Sequence, residues 1–262
     1  MEVHKGKVLA IANQKGGVAK TTTTVSLLAA LSMCNRRVLG IDMDPQGNLS
    51  ANCDAKMYDV PTTYELLKGE VSAQDAIQHI STDSVTYDII PANVLLAGAE
   101  QEIVQTGKEY RLREALAPIR MDYDYIIIDT PPALSILTID AFTAADDIII
   151  PTTPSTYALS GIRQLYDTIE TVKKYCNPSL RILGILITRY KSRQRVSKQL
   201  TEFTLKLGEM IQAPVFATPI RDTVAIEESQ ATATNILQYN KKSVAAIDYM
   251  NFALELLSME EE

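Results

Sequence analysis

The chain has 262 residues, 46% of them hydrophobic and 22% charged, with a formal net charge of −7. That length suits one α/β domain spanning residues 1–262 with a sizeable core, and no low-complexity tract or linker divides it. No apolar run approaches the ~18 residues of a membrane span, and the opening Met1-Glu2-Val3-His4-Lys5 lacks a signal-peptide layout. Membrane-spanning and secreted classes are therefore excluded, and a cytoplasmic protein is expected.

Val8 to Ala12 has the length and apolar content of a buried strand, and an amphipathic helical pattern runs from Lys20 to about Met33, with Val25, Leu28, Ala29 and Leu31 on one face. Between them lies Asn13-Gln14-Lys15-Gly16-Gly17-Val18-Ala19. Glycines let backbone N–H groups turn inward on an anion, and the following helix N-terminus adds partial positive charge. The loop and first turn, Gly16, Gly17, Val18, Ala19, Lys20, Thr21 and Thr22, thus read as a phosphate cradle. Lys20 would reach the β/γ-phosphates and the Thr21 hydroxyl would hold Mg²⁺. The strict G-x-x-x-x-G-K-[ST] pattern is not met, because Gln14 and Ala19 occupy its glycine positions.

Arg37 to Asp42 reads as a second buried strand, ending in Asp42-Met43-Asp44-Pro45-Gln46-Gly47. Ligands collect at the carboxyl ends of strands in open α/β sheets, where both carboxylates fall. One can support a Mg²⁺ shell while the other positions or deprotonates an attacking water. Ser72-Ala-Gln-Asp75 resembles a capping box opening a short helix, Val85 to Ile90 alternates as a strand, and Arg111 to Leu116 adds another short helix. In Tyr123-Asp-Tyr-Ile-Ile-Ile-Asp129-Thr-Pro-Pro132 a central strand delivers Asp129 to the phosphate site, where it would bind Mg²⁺ through water.

A helix over Ile136 to Ala145, a strand over Asp147 to Pro151, a long helix to about Tyr175 and an apolar strand over Ile182 to Thr188 follow. From Thr171 to Thr201 there are eight basic residues and no acidic one, against the negative total. Arg193 to Leu207 has helical spacing, with Arg195 and Lys198 close on one face. Together with Arg189, Lys191 and Arg193 these residues suit either a solvated surface or contact with a nucleic-acid phosphate backbone. Pro214 to Arg221 reads as a last short strand and turn, Val224 to Ser229 starts a helix, and Ser243 to Ser258 forms the final one before an acidic end. Such an end is a poor membrane-targeting helix. Cys34, Cys53 and Cys176 are dispersed without a C-x-x-C pair, and His4 and His79 are isolated, which argues against disulfides and metal clusters.

Taken together, NQKGGVAKTTT, GIDMDPQGN, YDYIIIDTPPALSILTIDAFTAAD and IIIPTTPSTYALSGIRQL resemble the ParA/Soj family of chromosome and plasmid partitioning ATPases, from about Lys7 to Leu257. The resemblance implies a single-domain P-loop NTPase of the deviant Walker A group, which includes MinD. Its mostly parallel twisted sheet would be flanked by helices on both faces. It implies an ATPase using ATP and Mg²⁺, a homodimer that sandwiches two ATP molecules, non-specific DNA binding on the nucleoid, and hydrolysis stimulated by a ParB-like or cargo-adaptor protein. Carried over by position, Lys15 is the signature lysine that reaches the partner's ATP. Lys20 and Thr21 keep their P-loop roles, Asp44 activates water, Asp42 lies near the metal and Asp129 is the Walker B acid. Pro219 and Arg221 match a segment beside the adenine, and Arg193 a DNA-contacting arginine.

Three departures qualify this. Ala19 replaces the usual glycine before Lys20, and at φ > 0 its methyl would add strain of about 1 kcal/mol. Val224 stands where a second DNA-contacting arginine often occurs. An N-terminal helix-turn-helix domain is not expected, which argues against operator binding. The alternatives are a MinD-like regulator cycling on a membrane, a nucleotide-holding scaffold with negligible turnover, and an electron carrier like the nitrogenase iron protein. The dispersed cysteines oppose the last.

Overall fold

The computed structural model describes residues 6–82, 84–103, 107–153, 158–191 and 195–260. Its strands are β1 (Lys7–Ile11), β2 (Val38–Asp42), β3 (Gln78–Ser81), β4 (Thr86–Ile90), β5 (Tyr125–Asp129), β6 (Asp147–Thr152) and β7 (Arg181–Ile187). They form one sheet in the order β3-β4-β2-β5-β1-β6-β7. The β3–β4 pairing is antiparallel and the others are parallel. The apolar runs are continuous because both faces are covered. Val8, Ala10, Ile126 and Ile128 enter one core, while Leu9, Ile11, Tyr125 and Ile127 enter the other.

The helices are α1 (Lys20–Met33), α2 (Asn48–Asn52), α3 (Thr63–Lys68), α4 (Ala73–Ala76), α5 (Leu96–Glu102), α6 (Arg111–Leu116), α7 (Ile136–Ala144), α8 (Ala158–Tyr175), α9 (Arg195–Met210), α10 (Val224–Ala231), α11 (Ile236–Tyr239) and α12 (Val244–Ser258). Helices α3 to α9 feed the first core, and α1, α2, α11 and α12 the second. On the second face Thr23 Oγ1 lies 3.3 Å from the Tyr249 hydroxyl, and Phe252 of α12 meets Phe216 edge-on at 4.9 Å between ring centroids. This is the α/β layering expected from the sequence. Among the described residues no helix is long and apolar enough to cross a membrane.

Most boundaries agree with the sequence pattern within two residues, including the Ser72/Asp75 capping box of α4. The expected last strand over Pro214 to Arg221 is a correction. Only two isolated bridges form, Ile185 with Val215 and Tyr190 with Arg221. The ladder fails between them because the Ala217 and Thr218 N–H groups donate instead to Glu255, at 2.7 and 3.0 Å.

Asp140 of α7 shows what a buried acid costs this fold. It is 2% exposed, and its Oδ1 accepts the Leu112 N–H at 3.0 Å. Burial pushes its carboxyl up to about 8, against the lowering effect of that hydrogen bond. The unfolded chain releases this proton near pH ~4, so between there and about 8 the native state binds more protons and stability falls as pH rises. Asp140→Asn keeps an acceptor for Leu112. It is expected to leave stability nearly unchanged near pH 4 and to add on the order of 5 kcal/mol at pH 8, a rise in Tm of roughly ten degrees or more for a chain of this size. Thermal unfolding at the two pH values checks the sign.

Candidate functional site

The loop after β1 is held by buried polar contacts. Asn13 Nδ2 donates to the Pro151 carbonyl at 2.7 Å, the Lys15 N–H donates to Asn13 Oδ1 at 2.9 Å, and Thr188 Oγ1 donates to the Val18 carbonyl at 3.0 Å. Two residues adopt the left-handed conformation, Gly17 at φ 72° and Ala19 at φ 66°. Gly17 does so at little steric cost, while Ala19, the residue preceding α1, carries the strain its side chain implies. Ala19→Gly is expected to raise stability by about 1 kcal/mol, read as a higher Tm, with ATP affinity equal or tighter.

Beside this loop opens a cavity of about 870 Å³ at the carboxyl ends of the strands. Gly16, Gly17, Ala19, Lys20, Thr21 and Thr22 form one wall. Asp44 to Gln46 after β2 and Pro131 to Ala133 after β5 form a second. Lys20 is 8% exposed and its Nζ donates to the Lys15 carbonyl at 3.4 Å. Burial lowers its pKa, opposed by the nearby carboxylates of Asp129 and Asp44.

Asp129 is fully buried at the end of β5, where register pairs it with Asp42 of β2. Its Oδ2 accepts from Thr21 Oγ1 at 2.7 Å and its Oδ1 from Thr24 Oγ1 at 3.2 Å. Burial pushes its carboxyl up to about 8, reinforced by Asp42 and opposed by Thr21, Lys20 and Thr24. A buried acid beside a threonine hydroxyl and a phosphate cradle is a donor set that suits hydrated Mg²⁺, which would draw Asp129 back to its charged form.

Asp42, expected near the metal, is engaged by its own turn. Its Oδ1 accepts the Asp44 N–H at 3.1 Å, and its Oδ2 accepts both the N–H and the hydroxyl of Ser50, at 2.9 and 2.7 Å. Fully buried, with its pKa raised to about 6 by desolvation, it is not among the residues that line the cavity. These contacts hold the turn that carries Asp44 and engage both carboxylate oxygens of Asp42. Asp44 itself reaches the cavity, with Oδ1 accepting the Gln46 N–H at 3.0 Å.

The third wall comes from residues that the sequence pattern does not single out: Asp222, Thr223, Ile226, Glu227 and Gln230, at and just before α10. Gln230 Nε2 donates to Thr22 Oγ1 at 2.9 Å, tying this wall to α1. Pro219 and Arg221, expected beside the adenine, do not line the cavity. Arg221 is instead forked onto Asp248, with Nε and Nη2 at 2.9 and 2.6 Å from its two oxygens.

Among the described residues, the basic run is spread over several places in the fold. Arg181 pairs with Asp147 at the amino end of the sheet, at 2.9 Å, and Lys173 with Glu170 on α8, at 3.2 Å. Arg189 lines the cavity, and both it and Lys191 pair with Asp222, at 3.5 and 3.3 Å. Arg193 lies outside the described residues. Arg195 and Lys198 fall in the first turns of α9, and their side chains lie outside the described residues.

Residues 6–182 match a family model described as an AAA domain. The chain is 39% identical over 253 residues to the sporulation initiation inhibitor protein Soj of Bacillus subtilis, covering 96% of this chain and 98% of Soj. It is 39% identical over 267 residues to the chromosome partitioning protein ParA of Caulobacter vibrioides, covering 100% and 98% of the two chains. Among solved structures, a protein from Mycobacterium smegmatis described as cobyrinic acid a,c-diamide synthase, with bound ATP analog and magnesium, superposes with a TM-score of 0.84 at 39% identity. That match covers 98% of this chain and 96% of the other.

Proposed function

The chain belongs to the Soj/ParA family of partitioning ATPases, and from that premise we propose that its cavity binds ATP with Mg²⁺ and hydrolyses it to ADP and phosphate. The observation that carries this reading is the meeting of Lys20, Thr21 and Asp44 in one cavity at the carboxyl ends of β1, β2 and β5, with Asp129 hydrogen-bonded directly behind Thr21. Backbone N–H groups of residues 16–22 cradle the phosphates and Lys20 neutralises their β/γ oxygens. Thr21 and Asp129 hold the metal's hydrated shell, and Mg²⁺ supplies charge neutralisation on the phosphates. Asp44 orients the attacking water and accepts its proton.

ATP binding builds a homodimer in which Lys15 of each subunit reaches the other's triphosphate. The dimer binds DNA without sequence preference and rides the nucleoid in the cytoplasm. A ParB-like or cargo-adaptor protein then stimulates hydrolysis and releases it, so that a chromosome, plasmid or protein cargo is partitioned or positioned. Steady-state phosphate release tests this cycle: a slow basal rate should rise severalfold when duplex DNA and the cognate partner are both present. A rate that ignores both would sink the switch and leave a nucleotide-holding scaffold.

Support for the DNA step comes from the acid-free basic segment between Thr171 and Thr201, which includes Arg193, Arg195 and Lys198. The double substitution Arg193→Ala with Arg195→Ala is expected to weaken retention of duplex DNA about tenfold at ~100 mM salt and to flatten the salt dependence by about two phosphate contacts. Electrophoretic retention across a salt series reads both.

A further inference from the structure

The third cavity wall hangs from the last helix. Between α9 and α10 the chain first pairs with β7, where Phe216 N–H donates to the Ile185 carbonyl at 3.0 Å. It then leaves the ladder at Ala217 and Thr218, and rejoins where Ile220 N–H donates to the Ile187 carbonyl at 2.8 Å. Each place that β7 leaves uncovered is taken by a carboxylate of α12. Glu255 accepts the two freed N–H groups, at 2.7 and 3.0 Å. Asp248, 5% exposed, accepts the Arg221 N–H at 2.9 Å as well as its guanidinium fork. The two acids are seven residues apart, two helical turns, and so share one face of α12. The residue between the fork and the wall is none: Asp222, the first cavity-lining residue of this wall, follows Arg221 directly.

The same helix is docked on α1 through Tyr249, whose hydroxyl meets Thr23 at 3.3 Å. Thr23 is two residues from Thr21 in the cradle. Thus α12 contacts Thr23, next to the phosphate wall, and Arg221, next to the wall opposite.

We propose that Asp248 and Glu255 are positioning residues that set the Asp222–Gln230 wall against the phosphate cradle, and through it the affinity of the site for nucleotide. The inference rests on the nucleotide-binding reading above. Neither carboxylate touches the cavity, so their effect is on binding and not on the chemical step.

Equilibrium binding of a fluorescent ATP analogue to the full chain, with steady-state kinetics on ATP, tests this. Asp248→Ala is expected to weaken analogue binding and raise KM about tenfold, with kcat within about twofold. Asp248→Asn, which keeps an acceptor for the Arg221 N–H, should recover part of the loss, and Glu255→Ala should weaken binding about threefold, providing the same readout should Asp248→Ala not fold. Leu256→Ala removes a buried α12 side chain that faces the second core, and should lower Tm while leaving binding unchanged. Unchanged binding in the Asp248 and Glu255 variants, or an equal loss in Leu256→Ala, would overturn the positioning role. A wild-type chain that fails to bind the analogue would instead overturn the nucleotide reading, and this inference with it.

Discussion

Lys20→Ala is expected to weaken ATP binding by at least a hundredfold, which corresponds to about 2.7 kcal/mol. The size follows from burial. Lys20 is 8% exposed, and Asp129 and Asp44 lie close enough to oppose the lowering of its pKa by burial. With a triphosphate bound, the same ammonium makes charge-assisted hydrogen bonds worth about 1.5–3 kcal/mol in a partly dehydrated site. Alanine removes that interaction and leaves the acids to repel the phosphates. Calorimetric titration with ATP and Mg²⁺ measures the loss, and Tm in the absence of nucleotide separates it from unfolding.

Asp44→Ala is expected to act on a different quantity. Asp44 lines the cavity across from the cradle and has no contact with Lys20 shorter than the electrostatic one that raises the lysine pKa. Its removal should leave the ATP dissociation constant within about threefold while lowering the hydrolysis rate 10²–10⁴-fold, the usual contribution of a positioned acid or base, hence roughly 3–5 kcal/mol in the barrier. Phosphate release under saturating ATP reads this. Equal losses in binding and turnover would place Asp44 among the binding groups instead. The contrast between the two variants is the signature of a site in which one wall holds the phosphates and another handles the water.

Much of this site is legible in the sequence because its parts are local. A strand, a glycine-bearing turn and a helix N-terminus are contiguous from Val8 to Lys20, and each of Asp42, Asp44 and Asp129 sits at the end of an apolar run that can only be a buried strand. Even the strain at Ala19 can be foreseen, since the position calls for a left-handed residue. The Thr62/Glu65 capping box of α3 is also written in the sequence, as Thr-Thr-Tyr-Glu, though it is easily passed over between weak patterns. What the sequence hides is pairing at a distance. Nothing local to Asp42 tells that Ser50 will occupy its carboxylate, nor that Asp222 will neutralise Arg189 and Lys191 from the far side of α9. The basic run looks like one surface in one dimension, yet β7 carries Arg181 to one end of the sheet and Arg189 to the other. The wall built by α10 is invisible for the same reason, because Gln230 meets Thr22 across 208 residues of sequence.

The most direct test of the switch is retention of a non-specific DNA duplex by the wild-type chain in ATP and in ADP, at one salt concentration and with Mg²⁺ present. Strong retention with ATP, loss of it with ADP, and persistence of it in Asp44→Ala with ATP are the expected results. Equal retention in both nucleotides would contradict a DNA-binding state built by ATP.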